Sequence, residues 1–109
     1  IKKNNKTYQR IKVYDCKYFD MYIITWLQNQ ESKIHNHASQ GCLNKILLGK
    51  LNETIYDKSF MIKSHNLQKT QNISYIDDSI GYHKIKNNQS LSVSLHIYSP
   101  PNFKTKYFN

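Results

Sequence analysis

The chain has 109 residues, 39% of them hydrophobic and 13% aromatic, which is one domain's length with enough apolar side chains to bury a core; a single domain over 1–109 is expected, not a disordered or multidomain chain. The net charge of +9 comes from scattered lysines, with only Lys2, Lys3 and Lys6 forming a dense basic patch, so a solvated basic surface is expected and no nucleic-acid partner. Two cysteines, and no apolar run near the roughly 18 residues of a membrane span, argue against a disulfide-stapled secreted fold and a membrane helix; a reducing, cytoplasmic setting is the expectation.

In chain order, short β-type runs are predicted at 21–27, 46–48, 51–56, 60–63, 73–76, 82–85 and 91–98, separated by turn residues and without a sustained helical period. Gly49-Lys50 reads as a hairpin turn, and Pro100-Pro101 as the end of the last strand, because proline cannot donate to a ladder. Short strands without helices predict an all-β fold, a sandwich or small barrel, with no internal repeat or linker to mark a second domain. The chain opens at Ile1, not Met, and reads as a piece of something longer. Its four sequons, at Asn5, Asn52, Asn72 and Asn88, are what an Asn-rich chain produces by chance.

Alternation in "LSVSLHIYSPP" (91–101) puts Ser92, Ser94, His96 and Tyr98 on one face and Val93, Leu95 and Ile97 on the other. The polar face either meets water or, in a small barrel, lines a functional lumen. In "HNHASQGC" (35–42), His35 and His37 project to one side of an extended segment and can reach one metal ion, with His83 as a third nitrogen. A lone H-x-H is a weak pattern. His65 has no such partner and reads as a surface residue.

The wider spacing is more specific. "HNHASQGCLNKILLG" reads H-x-H-x4-C-x6-G and "GYHKIKN" reads G-x-H-x3-N. Both resemble the two motifs of the cupin superfamily, with Cys42 where a glutamate is usual, and that replacement resembles the cysteine dioxygenase family. The resemblance continues through "YQR" (8–10), "YIITW" (22–26), "LLGKLNET" (47–54), "YIDDSIGYHKIKN" (75–87) and "SLHIYSPP" (94–101). It implies a cupin-type, jelly-roll-like small β-barrel, without the helical N-terminal segment with which the family's longer chains begin.

The resemblance also implies roles. His35, His37 and His83 would hold a ferrous ion, Fe(2+), as neutral imidazoles that leave positions open for a substrate thiol and O2. Arg10 would clamp the carboxylate of L-cysteine, with Tyr8 helping to orient it. Tyr98 matches the family's active-site tyrosine and Cys42 the cysteine joined to it by a thioether. His96 would hydrogen-bond the Tyr98 hydroxyl and Ser94 would orient His96. Cys16 matches no motif and reads as a small buried hydrophobe. The product would be cysteine sulfinic acid, made by a monomer acting on small molecules without membrane or nucleic-acid partners. The alternatives are a 3-mercaptopropionate dioxygenase, which the arginine argues against, and a non-catalytic zinc cupin using Cys42 as a fourth ligand.

Overall fold

A computed structural model describes residues 7–108; the basic patch of Lys2, Lys3 and Lys6 and the Asn5 sequon lie outside them. The chain forms ten strands: β1 (Gln9–Asp15), β2 (Asp20–Leu27), β3 (Ile34–His35), β4 (Cys42–Leu48), β5 (Lys50–Tyr56), β6 (Ile62–Lys69), β7 (Ile73–Ile76), β8 (Tyr82–Lys86), β9 (Leu91–Tyr98) and β10 (Tyr107–Phe108). They make two five-stranded sheets, ordered β1-β2-β9-β4-β7 and β10-β3-β8-β5-β6, and every pairing is antiparallel. The expected all-β barrel is what forms, and the described residues contain no helix.

β9 is the central strand of its sheet, and its polar face is the buried one. Ser92 and Ser94 have no exposed surface and His96 is 5% exposed, while Val93, Leu95 and Ile97 on the other face are only half-buried. The register carries this face across the sheet: Ile24 lies opposite Ser94, which lies opposite Ile46, and Tyr22, His96 and Asn44 form the next rung. Directly opposed residues share a face. The lumen is therefore apolar at one end, where Ile24, Trp26, Ile46, Leu51 and Ile85 pack together, and polar at the other.

Two residues fasten the apolar end. Asn87, the last residue of the G-x-H-x3-N motif, is fully buried; its amide donates to the carbonyls of Trp26, Leu27 and Gln89, and its oxygen accepts from Ser92 Oγ and Gln89 N. Gly49 makes the β4–β5 turn at φ 79°, where an added Cβ would collide with the Ser92 side chain and the Leu91 carbonyl.

Differences from the predicted runs have local causes. β6 begins at Ile62 and runs to Lys69, past the predicted 60–63, because backbone pairing along β5 holds a strand whose side chains are mostly exposed and polar. β1, β3 and β10 were not predicted as strands. Two of them are only two residues long, and their strand form depends on a neighbour: Tyr107 and Phe108 pair with His35 and Ile34. β9 does end before the proline pair, but β10 follows it.

Candidate metal centre and substrate pocket

His35 and His83 are brought together by β3–β8 pairing, in which they stand directly opposite each other, and His37 follows at the end of the same extended segment. All three are buried, and one ring nitrogen from each lies within 4.8 Å of the others. Every Nδ1 faces an oxygen: His35 the Lys33 carbonyl at 2.8 Å, His37 an Asp78 carboxylate oxygen at 3.2 Å and His83 a Glu53 carboxylate oxygen at 2.7 Å. Such acceptors fix the tautomer with the proton on Nδ1 and leave Nε2 as the free lone pair. The Nε2 atoms of His35 and His83 lie 3.0 Å apart, and that of His37 is buried without any hydrogen-bond partner. A metal cation satisfies all three nitrogens at once, and the donor set fits one.

Electrostatics agree. Burial, reinforced by the neighbouring imidazoles, holds His35 and His37 down to about 3, and burial with the nearby His96 does the same to His83. The rings are neutral and ready as ligands at physiological pH. Glu53 is buried at 5% exposure and tied by Gln68 Nε2 at 3.1 Å and Asn66 Nδ2 at 3.4 Å; burial nevertheless raises its carboxyl above the ordinary value.

A small cavity of about 20 Å³ opens beside this cluster, and Arg10, Tyr8, Tyr98, Cys42 and His96 reach its wall. Arg10 lies opposite Ile24 on β1 and so points to the lumen side, its guanidinium 3.7 Å from the Tyr22 ring centroid and 5.3 Å from that of Tyr98. Among the described residues it is in no ion pair with a carboxylate. Tyr8 packs on Trp26 at 4.4 Å, and burial, with the Tyr107 phenol beside it, pushes its hydroxyl up to about 12.

Cys42 and Tyr98 are direct cross-strand partners on β4 and β9. Burial pushes the Cys42 thiol up to about 12 and raises the Tyr98 phenol well above the ordinary tyrosine value, so both stay protonated. The thiol also meets Asn44 Oδ1 at 3.1 Å, and Cys42 stands outside the three-histidine group, which leaves the four-ligand zinc arrangement without its cysteine.

Ser94 Oγ lies 2.6 Å from His96 Nε2 and accepts from Trp26 Nε1 at 3.0 Å. The bond expected from His96 to the Tyr98 hydroxyl does not form. Those two rings stack 6.2 Å apart at 14°, and the phenol's polar neighbours are Arg10 and Cys42. Burial holds His96 down to about 3.

His65 is exposed, bonded to Thr54 Oγ1 at 3.1 Å, and Cys16 sits half-buried near the β1–β2 turn. Sequence reasoning did not single out Glu53, Asp78 or Tyr107. Glu53 carried a signal: it alternates with Leu51 on the inward face of a strand, where a carboxylate requires a partner.

Two antiparallel sheets closed around three convergent buried histidines define a cupin whose lumen carries a candidate three-histidine metal site. An uncharacterized Klebsiella pneumoniae protein with a double-stranded β-helix domain superposes with a TM-score of 0.78 at 14% identity, covering 100% of this chain and 90% of that one. An RmlC-like cupin protein from Desulfovibrio desulfuricans gives 0.69 at 17% identity, covering 93% and 90%. The sequence profile of the family described as "Cysteine dioxygenase type I" matches residues 1–109, and the chain belongs to that family. Cysteine dioxygenase type 1 of Rattus norvegicus is 36% identical over 91 residues, covering 76% of this chain and 46% of the relative, and that of Homo sapiens is 37% identical with the same coverage. The chain thus spans about half the length of these curated relatives.

Proposed function

We propose that the chain is a thiol dioxygenase that holds ferrous iron, Fe(2+), on His35, His37 and His83 and converts L-cysteine and O2 to cysteine sulfinic acid. One observation supports this above the others: three Nε2 lone pairs converge, one of them buried without a partner, beside a pocket whose arginine is in no ion pair among the described residues. His35, His37 and His83 would hold the iron, which would supply Lewis-acid and redox chemistry for a thiol and dioxygen.

The chain's own side chains do the rest. Arg10, braced on the Tyr22 ring, presents a planar fork to the substrate carboxylate, and Tyr8, protonated at neutral pH, donates its hydroxyl to the same group. Tyr98 stays a neutral phenol beside Arg10 and offers a proton to oxygen atoms in the pocket. His96, oriented by Ser94 and Trp26, stacks behind Tyr98 and fills the lumen so that water is excluded. Cys42 and Tyr98 stand directly opposite each other on β4 and β9, which supports a thioether between them. Forming it breaks the thiol S–H and one ring C–H, makes a C–S bond, and reduces one dioxygen to hydrogen peroxide. The link would fix the phenol's position.

The setting we assign is a single domain acting as a monomer in the cytoplasm, without nucleic-acid or membrane partners. The test is oxygen uptake by the ferrous chain given L-cysteine and labelled dioxygen. Cysteine sulfinate carrying two labelled atoms is the expected product. Product from 3-mercaptopropionate alone would reassign the substrate, and none from either thiol would overturn the reading.

A further inference from the structure

Tyr107 belongs to a segment that carries no motif, yet β10 delivers it to the pocket. It stands directly opposite His35, so its ring turns toward the lumen, with the two ring centroids 5.8 Å apart. Phe108, opposite Ile34, turns outward, stacks on Tyr82 at 4.7 Å and meets the Phe60 ring at a tilt at 5.3 Å. That outer aromatic stack holds the two-residue strand in place. On the inner side, the Tyr107 phenol meets the phenol of Tyr8.

These two tyrosines are shared by two cavities. The inner one, against Arg10, His35 and Tyr98, measures about 20 Å³. The outer groove measures about 390 Å³ and is completed by Thr7, Glu31 and Lys33. Among the described residues, Tyr8 and Tyr107 alone line both, so their rings form the partition between them. Glu31 is already paired with Lys84 at 3.4 Å, while Lys33 is in no ion pair among the described residues and leaves a cation facing the groove.

We propose that Tyr107 sets the upper size limit of the thiol substrate, by walling the pocket at the end where the carboxylate is bound, and that the groove behind it is a subsite for one further amino-acid residue. The inference rests on the pocket taking a thiol carboxylate at Arg10 and Tyr8. A ligand extended beyond that carboxylate, such as a cysteinyl dipeptide, has its path through the Tyr8–Tyr107 partition. Beyond it, the dipeptide's own carboxylate meets Lys33. Tyr107 is 48% exposed, so the ring can be removed without opening the buried core.

Trp26 is the sole tryptophan and lines the inner cavity, which gives a binding readout independent of turnover. The anaerobic ferrous chain is titrated with L-cysteine and with L-cysteinylglycine, following Trp26 fluorescence, in wild type, Tyr107→Ala, Tyr107→Leu and Tyr107→Phe. Wild type and Tyr107→Phe, which keep the ring, should prefer cysteine. Tyr107→Ala and Tyr107→Leu should shift the affinity ratio toward the dipeptide by about tenfold or more. Adding Lys33→Ala to either should weaken the dipeptide and leave cysteine unchanged. An unchanged ratio in both truncations, with cysteine still bound, overturns the wall and leaves the thiol reading standing. So does a wild type that binds both ligands equally. Binding of neither compound by wild type overturns both.

Discussion

Each histidine of the candidate metal site is oriented by what its Nδ1 touches. Glu53 is the clearest case, because its two oxygens are divided between His83 Nδ1 and the amides of Gln68 and Asn66. Glu53→Gln keeps the shape but cannot satisfy all three donors, since one side of the new amide is itself a donor. The expected result is metal affinity weaker by about 10- to 100-fold, measured by competition with a chelator, in a chain that still folds. Arg10→Lys tests a different atom set. A single ammonium replaces a fork, so KM for L-cysteine should rise by about tenfold or more while kcat falls less.

Strand register, not sequence proximity, assembles the site. Cys42 and Tyr98 become neighbours through the β4–β9 pairing, which sets them directly opposite each other. After turnover with ferrous iron, dioxygen and L-cysteine, a fraction of the chain should be lighter by two hydrogens in intact mass, and Cys42→Ser should abolish that species. The same pairing depends on how β9 is anchored. Asn87 ties the loop before β9 to the end of β2 through three carbonyls. Asn87→Ala should cost about 3 to 5 kcal/mol by denaturant unfolding, because buried carbonyls lose their donor and no water replaces it.

The molecule as a whole holds four imidazoles neutral. His35, His37, His83 and His96 titrate at about 3 in the fold, chiefly through burial, against 6.5 as the ordinary value. The unfolded chain therefore binds more protons between those two values. Stability is complete above about pH 6.5 and falls as the pH is lowered toward 3. The melting temperature of the metal-free protein should decline steadily across the acid side of that window. Bound metal should oppose the decline, adding about 4 kcal/mol at a thousandfold excess over Kd, and chelation should remove that gain.

Some of this was legible before any fold. The H-x-H-x4-C and G-x-H-x3-N spacings single out the three histidines of the candidate site and the cysteine, and the alternation along 91–98 separates the two faces of β9, because a strand's period of two is a local property. Which face is buried was not local. Ser92, Ser94 and His96 enter the lumen while Leu95 and Ile97 lie toward the surface, and only sheet closure decides that direction. Tertiary structure alone also set Glu53 and Asp78 behind their histidines and carried Tyr107 to His35 across 72 residues of chain. Spacing encodes what one strand presents; the partner across a barrel is fixed by register and packing, which no short stretch of sequence contains.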